Sequence, residues 1–253
     1  ERLRVQKDQI LERFRQRNDQ PMGIAMGTAT RLLYGDEHYT AREATAATIE
    51  AIDAASLSAL HKRIMHPGNL IVAASGDFEV DTLLAQLESA FDGWPVGEPA
   101  GDPPPPPSGL QPGLYHAKTT QADLPQGTTL LIGHGTRRDD PDAIALRVMN
   151  DILGGGGFTS RITNRVRSDE GLAYTAVSFL RPQVHFDGMF GGFFQSKNET
   201  VALAAKLMFE EIERIRNEPV SAEELERTKN GFVEQFPQRF ASKRQMLSTF
   251  VHD

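Results

Sequence analysis

Five consecutive prolines, Pro103–Pro107, lie within "WPVGEPAGDPPPPPSGLQPG" and constrain the fold more than any other segment. Proline fixes φ near about −65° and carries no amide hydrogen, so such a run enters neither a helix interior nor a sheet ladder. It adopts extended polyproline II and reads as a connector between two folded parts. The expected organisation is residues 1–95, a connector at 96–112, and residues 113–253.

Both sides of the connector mix strand and helix signals, which predicts an α+β fold. Before it, a helix is expected over residues 1–18, with Leu3, Ile10, Leu11 and Phe14 on its apolar side. A second helix covers about 22–34 and closes at Tyr34-Gly35; Asp53 or Ser56 can cap "LSALHKRIM". "NLIVAASG", bounded by Pro-Gly-Asn and Gly-Asp, predicts a buried strand, and "VDTLLAQLESAF" a helix. Beyond the connector, strands are expected at "LYHAKT", "TTLLIGHG", "AYTAVSFL" and "MFGGFFQS". Helices are expected from Asp140-Pro141 to Leu153, with the proline at the first helical position, and over "ETVALAAKLMFEEIERIR". A last helix opens on Ser221 and Glu224 in capping-box spacing, and Pro237 should kink or break it.

Composition narrows the function classes. A net charge of −7 argues against nucleic acid as a main partner. No apolar run approaches the roughly 18 residues of a membrane span. The absence of cysteine removes disulfides and thiolate metal sites. The sequence opens at Glu1 rather than Met and stops inside a helical pattern, so it reads as part of a longer protein.

The stretch "GGGGFTSRITNRVRSDEGLAY", residues 154–174, sets glycines beside arginines and raises phosphate binding as a possibility. A P-loop ends in Gly-Lys-Ser/Thr, whereas Gly157 is followed by Phe158-Thr159-Ser160. A dinucleotide fingerprint needs glycine at its sixth position, which here is Thr159 or Ser160. Both motifs follow a strand, and this run follows a predicted helix. Phosphate binding fails on these counts, leaving a side-chain-free turn between two helices, where backbone or ligand can approach closely. Histidine spacing is no richer. His61 and His66 lie about 140° apart on a helix and share no face. The other histidines stand singly, and no Gly-x-Ser-x-Gly occurs.

Three segments in order nevertheless resemble one family. "LGGGGFTSRITNRVRSDEGLAYTAVS", "HPGNLIVAASGDFEVDTLLAQLESAFDGWP" and "RQRNDQPMGIAMGTATRLLYGDEHYTARE" are similar to segments of the pitrilysin/insulinase family of zinc metallopeptidases. The resemblance implies two related domains, each a mostly antiparallel sheet covered by helices, joined at the proline-rich connector. It makes residues 1–95 the later part of a first domain and 113–253 most of a second. That family holds zinc with His-x-x-Glu-His and a later glutamate in the first domain. The second domain supplies an arginine and a tyrosine that face the metal site.

Those positions match Arg167 and Tyr174. By resemblance, the Tyr174 hydroxyl donates to the oxyanion and Arg167 holds substrate carbonyls, while Gly155, Gly156 and Gly157 carry the turn that presents them to substrate. The plainer alternative is that Arg167 pairs with a nearby acid and Tyr174 packs in the core. His-x-x-Glu-His is absent from the sequence. The position of the later glutamate falls on Arg13 or, shifted by one, on Glu12, the one weak metal candidate, with Arg15 and Arg17 adding positive charge.

The residues leave two function classes open. In the first, the chain is the substrate-binding, zinc-free part of a metalloendopeptidase acting on peptides or unfolded proteins. A sister domain or subunit carrying His-x-x-Glu-His then supplies the zinc. In the second, it is a non-catalytic peptide-binding or assembly subunit of the same family. The resemblance also suggests a bacterial periplasm or cell envelope as its location.

Overall fold

Three segments of alternating side chains build the sheet. In the computed structural model, which describes residues 1–107, 112–117 and 124–252, they are β1 (Gln126–His134), β2 (Ala173–Arg181) and β3 (Met189–Lys197). β3 lies centrally and runs antiparallel to both neighbours, in the order β1-β3-β2. Successive strand residues face opposite sides. Leu131, Ala176, Phe190 and Phe194 therefore enter one apolar layer, and Leu130, Ile132, Phe179 and Met189 enter another.

The first layer is closed by helices that follow β1. α6 (Ala143–Asn150) leads into a helical stretch carrying Leu153, Ile162 and Val166, and α7 (Val201–Asn217) adds Ala204, Leu207 and Met208 at helical spacing. The second layer is closed by α2 (Pro21–Tyr34), which precedes the proline run. Its Ala29, Leu33 and Tyr34 pack with Phe186 and Met189. The parts on either side of the connector are thus in contact across one face of the sheet.

The remaining helices are α1 (Arg2–Gln16), α3 (Ala46–Glu50), α4 (Ala54–Ile64), α5 (Val80–Phe91), α8 (Ala222–Gln235) and α9 (Lys243–His252). Asp53, one of the two caps the sequence offers, caps α4, and Ser221 caps α8 as its spacing with Glu224 predicts, each through a reciprocal capping box. Pro237 lies in the 3₁₀ segment Phe236–Phe240 that separates α8 from α9.

The structure departs from the sequence reading at three places. "NLIVAASG" forms no strand, and Ile71 is 86% exposed. Its apolar character suits a buried strand, but among the described residues no neighbour offers it a ladder, and an unpaired strand gains nothing from being extended. "LYHAKT" is likewise irregular over residues 114–117, and its last two residues lie outside the described residues. Pro141 precedes the cap of α6 instead of occupying its first turn. The Asp140 carboxylate accepts from the Asp142 amide and the Thr136 hydroxyl, and this turn delays the helix.

The connector is tied down at several points. The Gly97 amide donates to His66 Nδ1 at 3.2 Å, and the Ala100 amide to Asn69 Oδ1 at 3.2 Å. His38 Nε2 donates to the Pro104 carbonyl at 3.2 Å, and its Nδ1 lies 2.7 Å from Thr40 Oγ1. Prolines lack donors but keep carbonyl acceptors, and here one is used.

Candidate functional site

The glycine run is where a helix meets the sheet. α6 widens into a π-helical turn, Asp151–Gly155, whose buried Gly154 lies directly against β2. A Cβ on Gly154 would overlap the Ser178 backbone nitrogen, so only glycine lets helix and strand approach this closely. Gly155 ends the turn, and the Gly156 amide donates to the Asp151 carbonyl at 2.8 Å. Burial pushes the Asp151 carboxyl above its usual range, opposed by a hydrogen bond from Thr228 and by the Arg147 charge. Gly157 then adopts φ +69°, a left-handed conformation that reverses the chain into the short 3₁₀ turn Gly157–Thr159.

Polar side chains fix the segment from Ser160 to Thr163. The Ser160 hydroxyl donates to the Gly157 carbonyl at 2.7 Å, and Thr163 Oγ1 donates to the Ala176 carbonyl of β2 at 2.8 Å. Arg161, only 8% exposed, grips Glu224 with two bonds of 2.6 and 2.8 Å. Such forked pairs add geometric as well as energetic definition. Arg161 holds the Glu224 carboxylate down to about 2, and α8 is thereby anchored to this segment.

A second π-helical stretch, Thr163–Asp169, carries Arg167 one residue after the fully buried Val166. π-helical turns are rare and concentrate at functional sites. The chain then turns through Gly171 into β2. There Ala173 pairs with Ser196 and Thr175 with Gln195, so Tyr174 is the extra residue of a β-bulge. Counting back by twos from the buried Ser178 and Ala176 would put Tyr174 on the core face. The bulge gives that place to Ala173 and turns Tyr174 outward, leaving it 75% exposed.

Arg167 and Tyr174 are thus brought together. The Arg167 guanidinium carbon lies 5.0 Å from the Tyr174 ring centroid and 4.5 Å from that of Phe158. Among the described residues no carboxylate pairs with Arg167, and Tyr174 is not packed in the core, so the plainer alternative for these two side chains does not describe their surroundings. Sequence reasoning passed over Phe158; the available signal was a large apolar residue on a turn between glycine and arginine. Gly155, Gly156 and Gly157 shape that turn and bring no side chain to it.

The described residues are not grouped to fit a zinc ion. Among the described residues no three histidines, aspartates or glutamates converge. Glu12 accepts from Arg15 at 2.7 Å on the exposed face of α1 and belongs to no such group. His38 and His66 are buried and engaged with the connector. Among the described residues no helix is long and apolar enough to cross a membrane.

Known proteins resemble this chain in sequence and fold. A protein of Streptomyces coelicolor named as an uncharacterised zinc protease is 25% identical over 232 residues, covering 88% of this chain and 49% of its own length. The crystal structure of a peptidase M16 inactive domain from Pseudomonas fluorescens superposes with a TM-score of 0.82 at 26% identity, covering 98% of this chain and 58% of that one. The periplasmic protease PqqL of Escherichia coli shares the fold with a TM-score of 0.69 at 16% identity, over 99% of this chain and 27% of its own. The chain spans about half the length of the Streptomyces relative. Residues 51–232 match the family model of the peptidase M16 inactive domain, and the chain belongs to that family.

Proposed function

We propose that this chain is the substrate-binding, oxyanion-stabilising side of a metalloendopeptidase whose metal is held outside the described residues. The observation that carries it is Tyr174, turned into solvent by a bulge and set beside a guanidinium that has no carboxylate partner among the described residues. The planar fork of Arg167 donates to backbone carbonyls of an extended peptide. The Tyr174 hydroxyl donates to the oxygen that becomes negative when a peptide carbonyl is attacked. Gly155, Gly156 and Gly157 bring no side chain of their own to the approach. In this reading residues 1–95 close a first domain, 96–112 connect, and 113–253 form most of the second. The partner is a sister domain or subunit carrying His-x-x-Glu-His, the substrate is a peptide or unfolded protein, and the place of action is a bacterial periplasm or envelope.

The test is steady-state kinetics on the protein assembled with its metal-bearing sister part. Tyr174→Phe is expected to lower kcat about a hundredfold or more, the usual effect of losing one oxyanion donor. Arg167→Ala is expected to act mainly on KM, because ground state and transition state use it alike. A second reading, a non-catalytic peptide-binding or assembly subunit, is favoured by the description of the matched family as an inactive domain. Unchanged turnover in both variants, with peptide binding retained, would select it.

A further inference from the structure

Phe158 is an unusual side chain to leave in water. It is 68% exposed, on a turn of three residues, although the apolar layer formed by Leu153 and Ile162 lies on the segments that flank it. The turn is not loose. Gly157 is left-handed, and both the amide and the hydroxyl of Ser160 close back on the Gly157 carbonyl, at 3.1 and 2.7 Å. The backbone that carries the ring is therefore fixed, and the ring lies 4.5 Å from the Arg167 guanidinium.

We infer that Phe158 is a positioning residue for Arg167 and also the wall of an apolar subsite for a side chain of the bound peptide. This rests on the substrate-binding role proposed for Arg167. Among the described residues Arg167 meets no carboxylate, and such a guanidinium has many orientations open to it. Two rings at 4.5 and 5.0 Å restrict them by cation–π attraction and leave its in-plane N–H donors free for carbonyls. A peptide whose carbonyl meets those donors brings the neighbouring side chain beside the exposed ring of Phe158. Aliphatic and aromatic side chains gain from covering that ring, and small polar ones do not. The preferred substrate is an extended segment with an apolar residue next to the carbonyl that Arg167 holds.

The experiment measures fluorescence anisotropy with the full-length protein assembled with its sister part, chelator being present to prevent turnover. Two labelled unstructured peptides of equal length and charge serve as probes, one with leucine and one with serine at every third position. Phe158→Ala is expected to weaken the leucine peptide about tenfold and the serine peptide about threefold, and Phe158→Tyr to restore both. Equal weakening of the two peptides, no weakening, or failure of Phe158→Tyr to restore binding would overturn the inference. Arg167→Ala separates the two levels. If it weakens both peptides while Phe158→Ala weakens neither, only the role of Phe158 falls. If Arg167→Ala changes neither, the substrate-binding reading falls with it.

Discussion

The chain before the proline run and the chain after it use their apolar residues differently. After it, Leu153, Ile162, Val166, Phe194 and Met208 are fully buried in one layer beside the sheet. Before it, Leu57, Leu60, Ile71, Val72 and Leu84 are exposed, and the one cluster that α2 joins lies on the later region's sheet. The later region closes a core with its own residues. The earlier region closes one only where it meets that sheet. The difference bears on the site, because Arg167 follows the buried Val166 and Tyr174 follows the buried Ala173. Two exposed side chains can be placed accurately only when the residues beside them are fixed.

If this contrast holds, equal truncations should cost very different amounts in the two regions. Phe194→Ala removes a fully buried ring and is expected to destabilise the protein by about 3–5 kcal/mol. Leu60→Ala, on the exposed face of α4, should change stability by no more than about 0.5 kcal/mol. Urea unfolding followed by circular dichroism measures both. Comparable losses would mean that the earlier region has a core of its own.

Acid should sharpen the same contrast by a smaller amount. The Glu224 carboxyl in the later region is held near 2, against an ordinary value of 4.5, by the buried Arg161. A depressed carboxyl stabilises the fold above its unfolded value, so this contribution is complete above about pH 4.5 and is lost as pH falls towards 2. The side chain is still 21% exposed, which trims the effect to about 2–3 kcal/mol. In the earlier region Glu43 meets Arg17 and Arg31 at 3.2 and 2.8 Å in full view of solvent, and such pairs contribute little. Stability measured from pH 6 to pH 2 should therefore lose most of this acid-dependent component in Glu224→Gln and keep it in Glu43→Gln.

Local signals carried much of the fold. Capping boxes at Asp53 and Ser221, the stop at Pro237 and the alternation in β1, β2 and β3 can all be read from neighbouring residues. Features that depended on distant partners could not. "NLIVAASG" has the composition of a strand, but a ladder needs a second strand that no local pattern reports. Tyr174 is a finer case. Period-two counting over "AYTAVSFL" aligns it with Ala176 and Ser178, and only the register against β3 reveals the bulge that turns it outward. Phe158 escaped because aromatic residues usually pack inside, and its place beside Arg167 comes from how two separate turns meet. The family motifs pointed to Arg167 and Tyr174 without supplying that geometry.

The central claim is that Tyr174 serves the transition state and not merely the bound peptide. It is tested most directly by comparing two ligands of the assembled protein, a substrate-like peptide and the same peptide with a tetrahedral phosphonate in place of one amide. Losing an oxyanion donor costs about 2.7–4 kcal/mol of transition-state stabilisation. Tyr174→Phe should accordingly weaken the phosphonate about a hundredfold and leave the affinity for the plain peptide within about twofold. Equal loss for both ligands, or none for either, would contradict the account.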